Sequence, residues 1–80
     1  MSLRSFLVKE IKVKLKPDAE FMTLNVLLKI EGIIDTGGMA KIFLQENEVL
    51  VNGESDNRRG RKLYPGDIVE VKGKRYIIVR

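Results

Sequence analysis

The chain of 80 residues is 44% hydrophobic and 32% charged, with a net charge of +4 and a pI near 9.6. That balance suits one small globular domain, 1–80, and neither a disordered nor a collagen-like chain. Cysteine and histidine are both absent, which excludes disulfides and thiolate zinc sites and removes the commonest metal ligand and general base.

No apolar run approaches the roughly 18 residues that a bilayer-spanning helix needs. Met1 to Glu10 also lacks the charged-then-apolar order of a secretory signal, so the expected compartment is the cytoplasm.

The first element is a strand within Phe6 to Leu15. From Ile11 onward, Ile11, Val13 and Leu15 alternate with Lys12, Lys14 and Lys16, the two-residue period of a half-buried strand, and Pro17-Asp18 ends it. Thr23 then caps a helix whose Leu24, Leu27 and Leu28 fall at i, i+3 and i+4, with Gly32 as its stop. Thr36 is a second capping candidate, before a helix carrying Ala40, Phe43 and Leu44 to about Asn47. The linker is so short that the two helices must pack as neighbours.

From Val49 the pattern changes to short apolar runs separated by Asn52-Gly53, Pro65-Gly66 and Lys72-Gly73-Lys74. Strands are expected at about Glu48 to Val51, near Glu54, at Ile68 to Val71 and at Tyr76 to Val79. Tight turns of this kind join antiparallel neighbours. The expected core is Leu24, Leu27, Leu28, Ala40, Phe43, Leu44, Val49, Val51, Ile68 and Val71. The fold class is α+β, a helix pair on a small antiparallel sheet.

Charge is segregated along the chain. Residues 1–57 hold seven basic and nine acidic side chains, a net of −2, while residues 58–80 hold eight basic and two acidic, a net of +6. The densest cluster is Arg58-Arg59-Gly60-Arg61-Lys62, four cations in five residues. Arginine's planar fork matches phosphate oxygens, and like charges packed this closely gain most when an anion neutralises them. The same run would also serve as a solvated loop, and an exposed loop is expected to tolerate substitution.

Thr36-Gly37-Gly38 precedes the second helix, where unpaired amides could meet a phosphate, although a glycine pair equally suits a tight turn. Lys41 lies one turn further on. Tyr64 and Tyr76 could stack on a base, but in strands of a small domain they suit core or rim packing better. Asp18, Asp35, Asp56 and Asp67 read as turn and cap residues. No paired carboxylates, activated hydroxyl or phosphate loop is visible, so neither catalysis, metal nor cofactor is expected.

The order helix, linker, helix, Val49-Leu50-Val51-Asn52-Gly53 and then Pro65-Gly66-Asp67-Ile68-Val69-Glu70-Val71 resembles the S4 RNA-binding domain, over about residues 22–72. That family occurs in a ribosomal protein, pseudouridine synthases and tyrosyl-tRNA synthetases. Leu27-Leu28-Lys29-Ile30-Glu31-Gly32, Gly38-Met39-Ala40-Lys41 and the Arg58 to Lys62 cluster are similar to the small stand-alone S4 proteins of YaaA and YbcJ type.

The resemblance implies an S4-like fold that binds structured RNA, such as ribosomal RNA or tRNA, on the face of the second helix. The residues it singles out are Thr36, Gly37, Gly38, Lys41, Arg58, Arg59, Arg61 and Lys62. Two family cations are missing. Many S4 domains have Arg-Leu-Asp where this chain has Thr23-Leu24-Asn25, and Ser-Arg where it has Thr36-Gly37.

Val51 to Glu54 with Gly66 to Val69 also looks like the ubiquitin-like sulfur carriers, but the sequence closes on Ile78-Val79-Arg80 without their terminal Gly-Gly. The remaining alternative is an S4-like adaptor whose basic loop docks an acidic protein.

Overall fold

The computed structural model describes residues 9–80. Strand β1 spans Lys9–Lys14. The expected alternation holds through its end, with Val13 and Leu15 buried and Lys12, Lys14 and Lys16 exposed. The part of that expectation on Phe6 to Val8 lies outside the described residues.

Strand β2, Met22–Thr23, leads directly into helix α1, Leu24–Ile30. The Thr23 hydroxyl caps α1 by accepting the Val26 N–H at 3.4 Å. Leu24, Leu27 and Leu28 are all fully buried, as their spacing requires. The helix ends at Gly32 in a Schellman motif: the Gly32 N–H donates to Lys29 O at 3.0 Å and the Ile33 N–H to Leu28 O at 2.9 Å.

Helix α2, Met39–Glu46, starts later than the Thr36 cap predicts. Thr36 accepts the Met39 N–H through its backbone carbonyl at 3.1 Å, and Gly38 occupies the N-cap with no side-chain capping bond. The Thr-Gly-Gly stretch thus makes a turn of its own from backbone bonds before the helix begins. At the other end, both the N–H and the side-chain amide of Asn47 donate to Phe43 O.

The remaining strands are β3 (Leu50–Val51), β4 (Glu54–Ser55), β5 (Lys62–Leu63), β6 (Ile68–Val71) and β7 (Lys74–Val79). Five strands form a sheet in the order β1-β7-β6-β3-β4, and β2 pairs with β5 apart from it. The β7-β6, β6-β3 and β3-β4 pairs are antiparallel, the first and last of them joined by the Lys72-Gly73 and Asn52-Gly53 turns. Strand β1 departs from the expected antiparallel sheet by joining β7 in parallel, Ile11 opposite Tyr76 and Val13 opposite Ile78. Both helices lie in the chain between β1 and β7, so no tight turn constrains that pair.

Leu24, Leu27, Leu28, Ala40 and Leu44 of the helices share one hydrophobic cluster with Val13, Leu15, Val49, Val51, Val69, Val71, Tyr76 and Ile78. Two residues expected in this core are only partly buried. Phe43 packs against its margin, with the Lys72 ammonium 5.4 Å from its ring centre. Ile68 faces the other side of the sheet, because a two-residue period that sends Val69 and Val71 inward sends Ile68 outward.

Asn52 and Asp67 join the two turns of the Val-Asn-Gly and Gly-Asp segments. Asn52 and Gly53 both have left-handed backbones, φ 53° and 86°, as a two-residue hairpin loop requires. The Asn52 side chain donates to Asp67 Oδ1 at 3.1 Å and accepts the Ile68 N–H at 2.9 Å, while Asp67 Oδ2 accepts the Tyr64 N–H at 2.8 Å. This part of the family hallmark is therefore a structural clasp. Asn52→Gly keeps the left-handed turn but loses the clasp, and should lower stability by about 1–2 kcal/mol in a urea melt. A melt superimposable on the parent's would mean that the exposed bonds contribute nothing.

Candidate nucleic-acid interface

The basic loop, residues 56–61 between β4 and β5, is seated on the start of α1. Two first-turn amides of that helix, which have no partner inside it, donate to loop carbonyls: Leu24 N–H to Arg61 O and Asn25 N–H to Arg59 O, both at 2.9 Å. With carbonyls drawn inward, the loop is fixed rather than loose.

Asp56 fixes it a second time. Its N–H donates to Val49 O at 2.9 Å, and its carboxylate is held by Arg58 and Arg61 at 2.9 and 3.1 Å. Arg58 also donates through Nε and its own backbone N–H. The Asp56 side chain is 8% exposed, against 66% for Arg58 and 31% for Arg61.

The side-chain hydrogen bond from Arg58 is the chief reason that the Asp56 carboxyl is held down to about 2, with burial opposing it and the Arg58 N–H and both guanidinium charges assisting. A depressed folded value means that stability from this pair is present above the ordinary value of 3.8 and is lost as pH falls toward 2. The stability difference between the parent and Asp56→Asn should accordingly shrink as pH is lowered from about 4 to 2. A gap that stays constant across that window would show that Asp56 is not the titrating group.

These anchors alter the expectation of a freely substitutable loop. Arg58 and Arg61 each spend part of their donor capacity on a nearly buried carboxylate, whereas Arg59 and Lys62 have no ion pair among the described residues. Lys62 instead lies 5.1 Å from the centre of the Phe21 ring, which packs against Tyr64 at 5.7 Å. Of the two tyrosines, Tyr76 is buried in the core and Tyr64 is 45% exposed beside the loop.

Two of the concavities that the loop borders are each lined by three cations. One, about 310 Å³, is lined by Lys41, Leu44 and Gln45 of α2 and by Asn57, Arg58 and Arg59. The other, about 700 Å³, is lined by Arg58, Gly60, Arg61, Lys62, Tyr64 and Asp67. The structure thus brings Lys41 together with Arg58 and Arg59, though they lie far apart in sequence.

Thr36, Gly37 and Gly38 line neither of these two surfaces. Gly37 instead meets α1: a Cβ on it would stand 3.3 Å from the Asn25 side-chain amide. Asn25 is a residue that sequence reasoning did not select. It joins the start of α1, the turn before α2 and the basic loop, and its Oδ1 is buried without a hydrogen-bond partner. Gln45 and Asn57 were also missed, since no charge or motif marks them.

Among the described residues there is no group of three or more acidic side chains placed to hold a metal ion, and no helix long and apolar enough to cross a membrane.

A helix pair on one sheet face, closed by the Asn52–Asp67 clasp and flanked by a basic loop, is the arrangement that the motifs imply. The chain belongs to the S4 domain family, whose match spans residues 13–79 and so extends past the motif-bearing segment at both ends. Within that family it is similar to the probable ribosome maturation protein RlbA of Bacillus subtilis (strain 168). The two are 62% identical over 56 residues, covering 70% of this chain and 79% of that protein.

Proposed function

We propose that this protein is a non-catalytic module that binds structured RNA through its basic loop and the adjoining end of α2, and that it works in the cytoplasm. The observation that carries this reading is the meeting of Lys41 with Arg58 and Arg59 around one concavity, beside Arg61 and Lys62 on the loop's other side. Membership of the S4 family and likeness to a probable ribosome maturation protein support it, and favour ribosomal RNA over tRNA as the target. Backbone contacts of this kind follow the shape and phosphates of a folded RNA more than its base edges. Thr36, Gly37 and Gly38 contribute by setting the start of α2 against Asn25, and their amides remain candidates for a phosphate.

The test is the salt dependence of RNA binding. If loop and Lys41 together neutralise about four phosphates, affinity for a folded ribosomal RNA fragment should fall on the order of a hundredfold between 50 and 200 mM salt. A flat salt response, or no binding with retention of an acidic protein instead, would turn the reading toward the adaptor.

A further inference from the structure

The basic loop accounts for one side of the molecule, yet a second set of cations lies on the other. Lys12, Lys14 and Lys16 occupy alternate positions on and just beyond β1, and all three are exposed. The residues between them, Val13 and Leu15, are buried in the core, so the lysines stand on the sheet face opposite the helices. Register places Lys12 beside Ile77 and Lys14 beside Val79, both half-buried, and the Leu15 N–H bond to Val79 O at 2.8 Å carries the pairing past the end of the strand. Lysine stems can lie along such an apolar strip while their ammonium groups reach outward.

Nearby acids do not neutralise this row. Glu10, earlier on the same strand, is joined to Arg75 at 3.4 Å, and Arg75 is joined to Glu70 at 3.1 Å. None of Lys12, Lys14 and Lys16 has an ion pair among the described residues. With a rise of about 3.3 Å per residue, the Cα atoms of Lys12 and Lys14 are about 6.6 Å apart along the strand, and Lys16 follows just past its end, where the Leu15 bond to Val79 still holds the chain. That is the geometry of a contact with a polyanionic strand.

β1 and β4 are the opposite edges of the five-stranded sheet, four strand spacings or about 19 Å apart. The basic loop follows β4 and is seated on α1, on the helix side, whereas the lysine row is on the opposite face. One short run of phosphates cannot meet both.

We propose that Lys12, Lys14 and Lys16 form a second RNA-backbone contact, so that one chain bridges two segments of folded RNA. This inference rests on the RNA-binding reading of the loop. Lysines on an edge strand also discourage strand addition by another chain, and that role would leave RNA bridging untouched.

The experiment uses the full chain with two copies of one ribosomal RNA hairpin, the first immobilised and the second fluorescent. The parent should bind the immobilised hairpin and capture the second through a complex containing one protein chain, as checked by sedimentation. The variant Lys12→Gln, Lys14→Gln, Lys16→Gln should keep single-hairpin affinity within about twofold, lose co-capture at least tenfold, and show a co-capture salt slope shallower by about two to three. Replacing the same three by Arg should restore co-capture.

Co-capture equal in the Gln variant and the parent, or absent from a parent that still binds one hairpin, overturns the lysine-row proposal and leaves the loop reading standing. Aggregation of the Gln variant with unchanged bridging assigns the row to edge protection and overturns the proposal as well. A parent that binds no hairpin overturns the RNA-binding reading itself, and the row's role with it.

Discussion

Removing the basic loop's charge is expected to weaken RNA binding on the order of a hundredfold at low salt and to make the salt response shallower by about three or four. The variant that reads this cleanly is not a simple replacement of Arg58, Arg59, Arg61 and Lys62 by Ala. Arg58 and Arg61 are bonded to an Asp56 side chain that is 8% exposed, so deleting both leaves a nearly buried carboxylate without a counter-ion. Part of any lost affinity would then come from a displaced loop.

Adding Asp56→Asn removes the stranded charge. The five-site variant should therefore keep a melting midpoint close to that of Asp56→Asn alone while losing affinity for every folded RNA tested, because phosphate contacts carry little sequence information. Arg59→Ala with Lys62→Ala, which disturbs no ion pair among the described residues, should lose about tenfold, and Lys41→Ala less. If the five-site variant binds as tightly as the parent with the same slope, the loop is only a solvated surface.

The difference between the expected loop and the observed one shows which parts of this protein a sequence makes legible. Turns were readable because their chemistry is local: Asn52-Gly53 and Pro65-Gly66 carry their own backbone preferences, and both are found where expected. The face of α1 was readable for the same reason, from the spacing of three leucines.

Parallel pairing of β1 with β7 was not readable, since its register depends on residues more than sixty positions apart. The strand Lys62–Leu63 was hidden inside the charged run, with a single apolar residue and a partner at Met22–Thr23. At the site, the cations were visible by density alone, but what holds them was not. Asp56 had the look of a turn residue, and Asn25 acquires its place only when Gly37 and the Arg59 carbonyl are brought to it in space. Charge is legible along the chain; its anchorage belongs to the tertiary structure.

That anchorage makes the core a condition for binding, and Leu28→Ala is the sharpest test of it. The Leu28 side chain is fully buried between the helices and the sheet, and its carbonyl accepts both the Ile33 and the Ile34 N–H, at 2.9 and 3.2 Å. Truncation to Ala removes packed methyl groups and leaves a cavity that the crowded surroundings fill only in part, at a cost of about 2–5 kcal/mol. For a domain this small that is a large share of the total stability.

Phe43→Ala should cost less, near the lower end of the same range, because its ring is only partly buried and its loss can be met by solvent and by movement of Lys72. Neither change touches a loop cation. In conditions where the Leu28→Ala protein remains folded it should therefore bind RNA with the parent's salt slope, and its affinity should fall in step with the folded fraction as denaturant is added. A Leu28→Ala protein as stable as the parent would show that α1 is not packed as described. One that is fully folded yet unable to bind would mean that the cavity shifts α1 and, through its Leu24 and Asn25 amides, carries the basic loop out of place.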